Sequence, residues 1–134
     1  MRVFVLILCL VAATACDEKS PAAPTVPLNQ RFTLGPGERV AVEGAGFVVE
    51  FRGVTGDSRC PADAVCIQGG DAIVHVRISD SGESNYELHT GDASRAEVVH
   101  RQARVALVEL QPYPFSSRTI APDDYRATLT VTSR

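Results

Sequence analysis

Tryptophan is absent, aromatic residues make up 6% of the 134 residues, and lysine occurs once, as Lys19. A core must therefore be assembled from Val, Leu, Ile and Ala with a few Phe and Tyr. The 45% hydrophobic share is ordinary for a globular chain and leaves room for that core. Positive charge is also scarce, with 13 Lys and Arg against 16 Asp and Glu, a net charge of −3. That balance gives no basic stripe, so nucleic acid is not an expected partner. No apolar run approaches the about 20 residues of a membrane-spanning helix. No G-x-S-x-G elbow surrounds Ser58, Ser116 or Ser117, and no histidine has a recognisable catalytic partner. The expectation is a non-enzymatic chain without a cofactor, one domain long with a short appendage.

What the chain does have begins at its N-terminus. Met1-Arg2 is a short positive region, Val3 to Val11 is continuously apolar, and Ala12-Ala13-Thr14-Ala15 supplies small residues before Cys16. Charge, apolar stretch and small-residue cleavage site are the parts of a signal peptide, here residues 1–15. A cysteine directly after the small residues resembles the lipobox of bacterial lipoproteins, in which that cysteine is lipidated and becomes the first residue. The alternative is an ordinary secretory leader that leaves Cys16 as a free thiol, a liability in an oxidising compartment. Two or three acyl chains on Cys16 would anchor the chain stably, since each buried CH₂ contributes about 0.8 kcal/mol. Residues 16–27 then form the lipidated cysteine and a Pro-rich linker (DEKSPAAPTVP), extended to roughly 30 Å in polyproline geometry.

From Leu28 to Arg134 there is no convincing amphipathic helix. Short alternating runs recur about every ten residues between Gly, Pro, Asp and Ser, the pattern of an all-β domain. Seven to eight strands over residues 28–134 predict an antiparallel β-sandwich, Ig-like or similar. Gln30–Leu34 and Arg39–Glu43 open the series. Gly44-Ala45 suits a type II′ hairpin turn, which would pair Val42 with Phe47 and Val40 with Val49. Phe47, Val49 and Phe51 should face the core, Glu50 and Arg52 the solvent. A turn at Ser81-Gly82-Glu83 should pair Ile78 with Tyr86 and Val76 with Leu88, setting Arg77 opposite Glu87 and His75 opposite His89. Ala96–His100 and Arg104–Leu110 form a further hairpin, and Tyr125 to Thr132, with the cleanest alternation, the last strand.

Between the strands at Phe47 and Ala72 lies Asp57-Ser58-Arg59-Cys60-Pro61-Ala62-Asp63-Ala64-Val65-Cys66. Once Cys9 leaves with the leader, Cys60 and Cys66 are the only cysteines of the body. Their spacing is wider than a C-x-x-C redox pair and no second pair completes a zinc site, so a structural disulfide is expected. Asp57, Asp63 and Asp71 with Gln68 offer hard oxygen ligands for a cation on a stapled loop, though without calcium-loop spacing. Arg59 could pair with Asp57 or Asp63 instead. His75 and His89, facing each other, could begin a transition-metal site if His100 or another ligand joined them; exposed, unliganded histidines are the commoner outcome.

The D-S-R-C-P core, the second cysteine, and Gly69-Gly70-Asp71-Ala72 leading into a strand resemble a group of small bacterial envelope lipoproteins of uncharacterised activity. The resemblance extends to the Pro36-Gly37-Glu38 turn and the Pro-rich end of the late strand. It implies a location in the bacterial cell envelope, lipid-anchored to a membrane on its extracytoplasmic face. It carries no activity across. The expected function is recognition: a tethered sandwich presenting its stapled loop to an envelope protein, glycan or ion. The competing expectation is a small metal carrier or metalloenzyme using the histidines or the loop acids.

Overall fold

The computed structural model describes residues 22–134. The leader and Cys16 lie outside the described residues. Nine strands run in chain order: β1 (Thr25–Val26), β2 (Arg31–Leu34), β3 (Arg39–Val42), β4 (Phe47–Asp57), β5 (Ala72–Ser79), β6 (Glu83–His89), β7 (Glu97–His100), β8 (Ala103–Gln111) and β9 (Arg126–Ser133). They form two sheets, β1-β3-β4-β5-β6 and β2-β9-β8-β7. All neighbours are antiparallel except β1, which runs parallel to β3. The fold is an all-β sandwich with both sheets open, as the alternation implies. Thr25 and Val26, inside the stretch read as linker, pair with Ala41 and Val42 and so belong to the domain.

The core lies between the sheets. Val49, Phe51, Val74, Val76, Ile78 and Leu88 meet Val105, Leu110, Ala127, Leu129 and Val131, all essentially without solvent contact. The hairpin of β3 and β4 has the expected register, Val42 opposite Phe47 and Val40 opposite Val49. Its turn differs. The amide of Ala45 bonds to the carbonyl of Val42, which makes Gly44, at φ 80°, the third residue of a turn rather than the first central one. Strand β4 runs on to Asp57 through two irregularities against β5, around Gly53 (φ 131°) and Gly56 (φ 77°). Backbone there lies where only glycine is unstrained, which lets the strand twist without breaking its pairing.

Two further expectations are corrected. The β5–β6 pairing is shifted by two residues: Val76 faces Tyr86, Val74 faces Leu88, and His75 faces Glu87. The turn is the cause. The Asp80 carboxylate accepts the Gly82 amide at 3.0 Å and closes a three-residue loop that sets Ser79 opposite Glu83. A shift of two keeps every side chain on its own face, so the burial pattern survives while the pairs change. Glu50, expected in water, is buried. Arg77 and Arg52 each reach its carboxylate at 2.7 Å. Burial pushes the Glu50 carboxyl up, but these two guanidinium partners outweigh it and hold it below its ordinary value.

Candidate functional site

Three connections converge at the end of the sandwich where β4 finishes: residues 58–71, the Thr90–Ala96 segment, and residues 112–124. The first is the stapled loop. Cys60 and Cys66 are bonded, with Cα atoms 6.0 Å apart. Its neck closes where the Ser58 amide donates to the Asp71 carbonyl at 2.7 Å and the Asp71 amide to Ser58 Oγ at 3.1 Å. The two strands of the neck touch at Gly70, where a Cβ would sit 1.4 Å from the Ser58 carbonyl oxygen. No other residue fits there.

Arg59 fastens this loop to the opposite sheet. Its guanidinium forks onto Asp57, Nη2 to Oδ2 at 2.6 Å and Nε to Oδ1 at 2.8 Å. It also donates to the carbonyls of Leu110 (2.7 Å) and Pro112 (2.9 Å), and it stands 5.7 Å from the Tyr113 ring centroid. Tyr125 donates its hydroxyl to Asp57 Oδ2 at 3.0 Å. Both ions are about nine-tenths buried. Burial raises the Asp57 carboxyl, yet the Arg59 and Tyr125 hydrogen bonds outweigh it and leave the group below its usual range. Burial and the same carboxylate push the Tyr125 hydroxyl up to about 12. The Asp57–Arg59 pair of the motif is thus a planar, charge-assisted clamp.

The remaining candidate ligands are committed in the same way. Asp63 Oδ1 accepts the amide of Ser116 at 2.9 Å and its hydroxyl at 3.1 Å, and the Ser116 amide leads in holding its carboxyl low. Beside it the Ala62 amide donates to the Pro114 carbonyl at 2.8 Å. Asp71 bonds His89 Nδ1 through Oδ2 (2.5 Å) and the Gly91 amide through Oδ1 (2.8 Å). Burial works against its ionised form, and His89 and Gly91 more than compensate. Gln68 is exposed. Among the described residues no three His, Cys, Asp or Glu side chains converge on one point. The structure therefore does not bring the proposed loop ligands together.

Nor does it pair the histidines. His75 bonds Thr55 Oγ1 and faces Glu87, whereas His89 faces Ile73 and is buried against Asp71. His89 Nε2 has no partner, an omission that costs about 1–3 kcal/mol when water cannot reach the atom. His100 lies in the other sheet. Its Nδ1 meets the Tyr86 hydroxyl at 2.8 Å and its Nε2 meets Asp80 at 2.9 Å, with the Phe47 ring edge-on at 5.3 Å. Arg101 adds a contact to Asp80 at 2.6 Å. His100, then the Gly82 amide and Arg101, hold the Asp80 carboxyl far below its ordinary range. This chain ties the two sheets together at the end away from the staple. A signal existed: His100 shares the inward parity of Val98, and Asp80 sits two residues before a turn glycine.

The stapled end also carries the most exposed large apolar residues. Val65 and Ile67 are 102% and 104% exposed, and Tyr113 and Phe115 on the neighbouring loop are about half exposed. A cleft of about 280 Å³ runs between the staple and β8, lined by Arg59, Cys60, His89, Leu107 and Tyr113 among others. A larger open groove of about 590 Å³ lies at the opposite end, between the β3–β4 and β7–β8 turns. Among the described residues no helix is long and apolar enough to cross a membrane. Compared with family models, curated proteins and solved structures, the chain matches none.

Proposed function

We propose that this chain is a lipid-anchored protein of the bacterial envelope whose domain is a non-enzymatic recognition module, with the stapled end as its contact surface. One observation carries the reading. Val65 and Ile67 stand fully in solvent on a loop that is held by a disulfide, a buried ion pair and three hydrogen bonds to residues 114–116. A protein that spends this much structure on displaying two aliphatic side chains gains no stability from them, so they serve contact. The hydroxyls of the loop support the non-enzymatic reading, because Ser58 and Ser116 are bound to backbone and carboxylate partners. The lipid anchor rests on Cys16 and the residues before it.

Membrane fractionation tests the anchor: the native chain should sediment with membranes and Cys16→Ser should move to the soluble fraction. Identical fractionation of the two would defeat it. A photo-crosslinking residue at position 67 tests the contact surface. It should crosslink in intact cells, to protein or to lipid, whereas the same group at position 81, in the β5–β6 turn at the other end, should give no adduct.

A further inference from the structure

We infer that the partner of the stapled end is the bilayer itself: the sandwich stands on this end, with Val65 and Ile67 inserted among the lipids. The orientation rests on the tether proposed above. Strand β1 runs parallel to β3, so the chain preceding Thr25 arrives from the end where β3 starts and β4 finishes. Ala22 and Ala23 lie beside Arg39 and Glu50. From Glu50 to Asp57 strand β4 advances about 23 Å toward the staple, at about 3.3 Å per residue. The six Cα–Cα steps from Cys16 to Ala22 span at most about 20 Å when fully extended. Fully extended along that path, the tether therefore ends within a few ångströms of the level of Asp57, at the root of the stapled loop. For the opposite end to face the membrane, the tether would have to double back along the sheet.

The side chains at that end suit an interface. Two aliphatic residues are fully exposed, and Tyr113 and Phe115 on the neighbouring loop are half exposed; a tyrosine ring suits headgroup depth. Charge is not the attraction. Asp57 and Arg59 neutralise each other, and Asp63, Asp71, Asp92, Asp123 and Asp124 outnumber Arg95, Arg118 and Arg126 on the connections at this end. Apolar burial must drive insertion, and anionic lipid must oppose it.

The absence of tryptophan makes a single indole an unambiguous reporter. Acylated full-length Ile67→Trp and Ser81→Trp would be reconstituted into vesicles of phosphatidylethanolamine with dibrominated phosphatidylcholine. Emission from Ile67→Trp should shift to the blue and be quenched about twofold or more, that from Ser81→Trp should stay unquenched, and Val65→Asp added to Ile67→Trp should reverse the quenching. Raising the phosphatidylglycerol share should weaken quenching; strengthened quenching would overturn the apolar mechanism. Intact mass of the mature N-terminus reads acylation separately. An unacylated chain defeats the tether. An acylated chain in which both indoles are equally quenched, or neither is, defeats the insertion.

Discussion

Replacing Arg59 by Met tests whether the D-S-R clamp is what fixes the stapled loop. The substitution keeps an apolar stem of similar length but strips Asp57 of its counter-ion, leaving only the Tyr125 hydroxyl and a backbone amide on the carboxylate. Removing one partner of a buried pair costs about 3–5 kcal/mol, because the other charge is left uncompensated. Orphaning the Leu110 and Pro112 carbonyls adds about 1–3 kcal/mol each only where water cannot replace the guanidinium. A loss of about 4 kcal/mol should appear in urea denaturation, and as a fall in Tm of about 10–20 °C for a domain of this size. Asp57→Ala combined with Arg59→Met should be more stable than Arg59→Met alone, since no buried charge then remains. The pH dependence should change sign. In the native protein the folded Asp57 pKa is depressed, so its contribution is present above the unfolded value of about 3.9 and lost as pH falls through the folded one. Without Arg59, burial dominates and raises the folded pKa, so that site should favour the fold more at low pH than at neutral pH. A loss below about 1 kcal/mol, the scale of exposed pairs, or an unchanged acid limb would refute the clamp.

Gly70→Ala should destabilise by about 3 kcal/mol, because its Cβ would overlap the Ser58 carbonyl and backbone must move to admit it. Gly69→Ala, with nothing within 4 Å of its Cβ, should stay within about 0.5 kcal/mol; hydrogen exchange at the Ser58 and Asp71 amides reads the neck directly, and equal protection in both variants would refute the close contact. Asp80→Asn should flatten the acid limb of the stability curve. The folded Asp80 pKa is depressed, so its contribution holds above about 3.9 and is lost as pH falls below it; denaturation from pH 7 to 3 with unchanged steepness would refute that linkage.

Much of the fold was readable because alternation has period two and depends on local sequence. The inward rows of β4, β5 and β9 follow from which positions are apolar, whatever the strands pair with. Pairing is less local. The β5–β6 shift was decided by one Asp80 side chain bonding to Gly82, and the burial of Glu50 on its outward face by Arg52 and Arg77. The candidate site shows the same division. The disulfide was legible because only two cysteines remain in the body. The partner of Arg59 was open between Asp57 and Asp63, and Asp63 proved to bond a loop 53 residues away.

By itself the sequence determined the all-strand character and the position of the staple, since each rests on residue type and short spacing. Tertiary structure alone decided that the loop acids hold the protein together rather than a cation, that His75 and His89 stand apart, and that Val65 and Ile67 are left in solvent. Those outcomes depend on groups distant in the chain competing for the same few hydrogen-bonding atoms, and no local pattern records who wins.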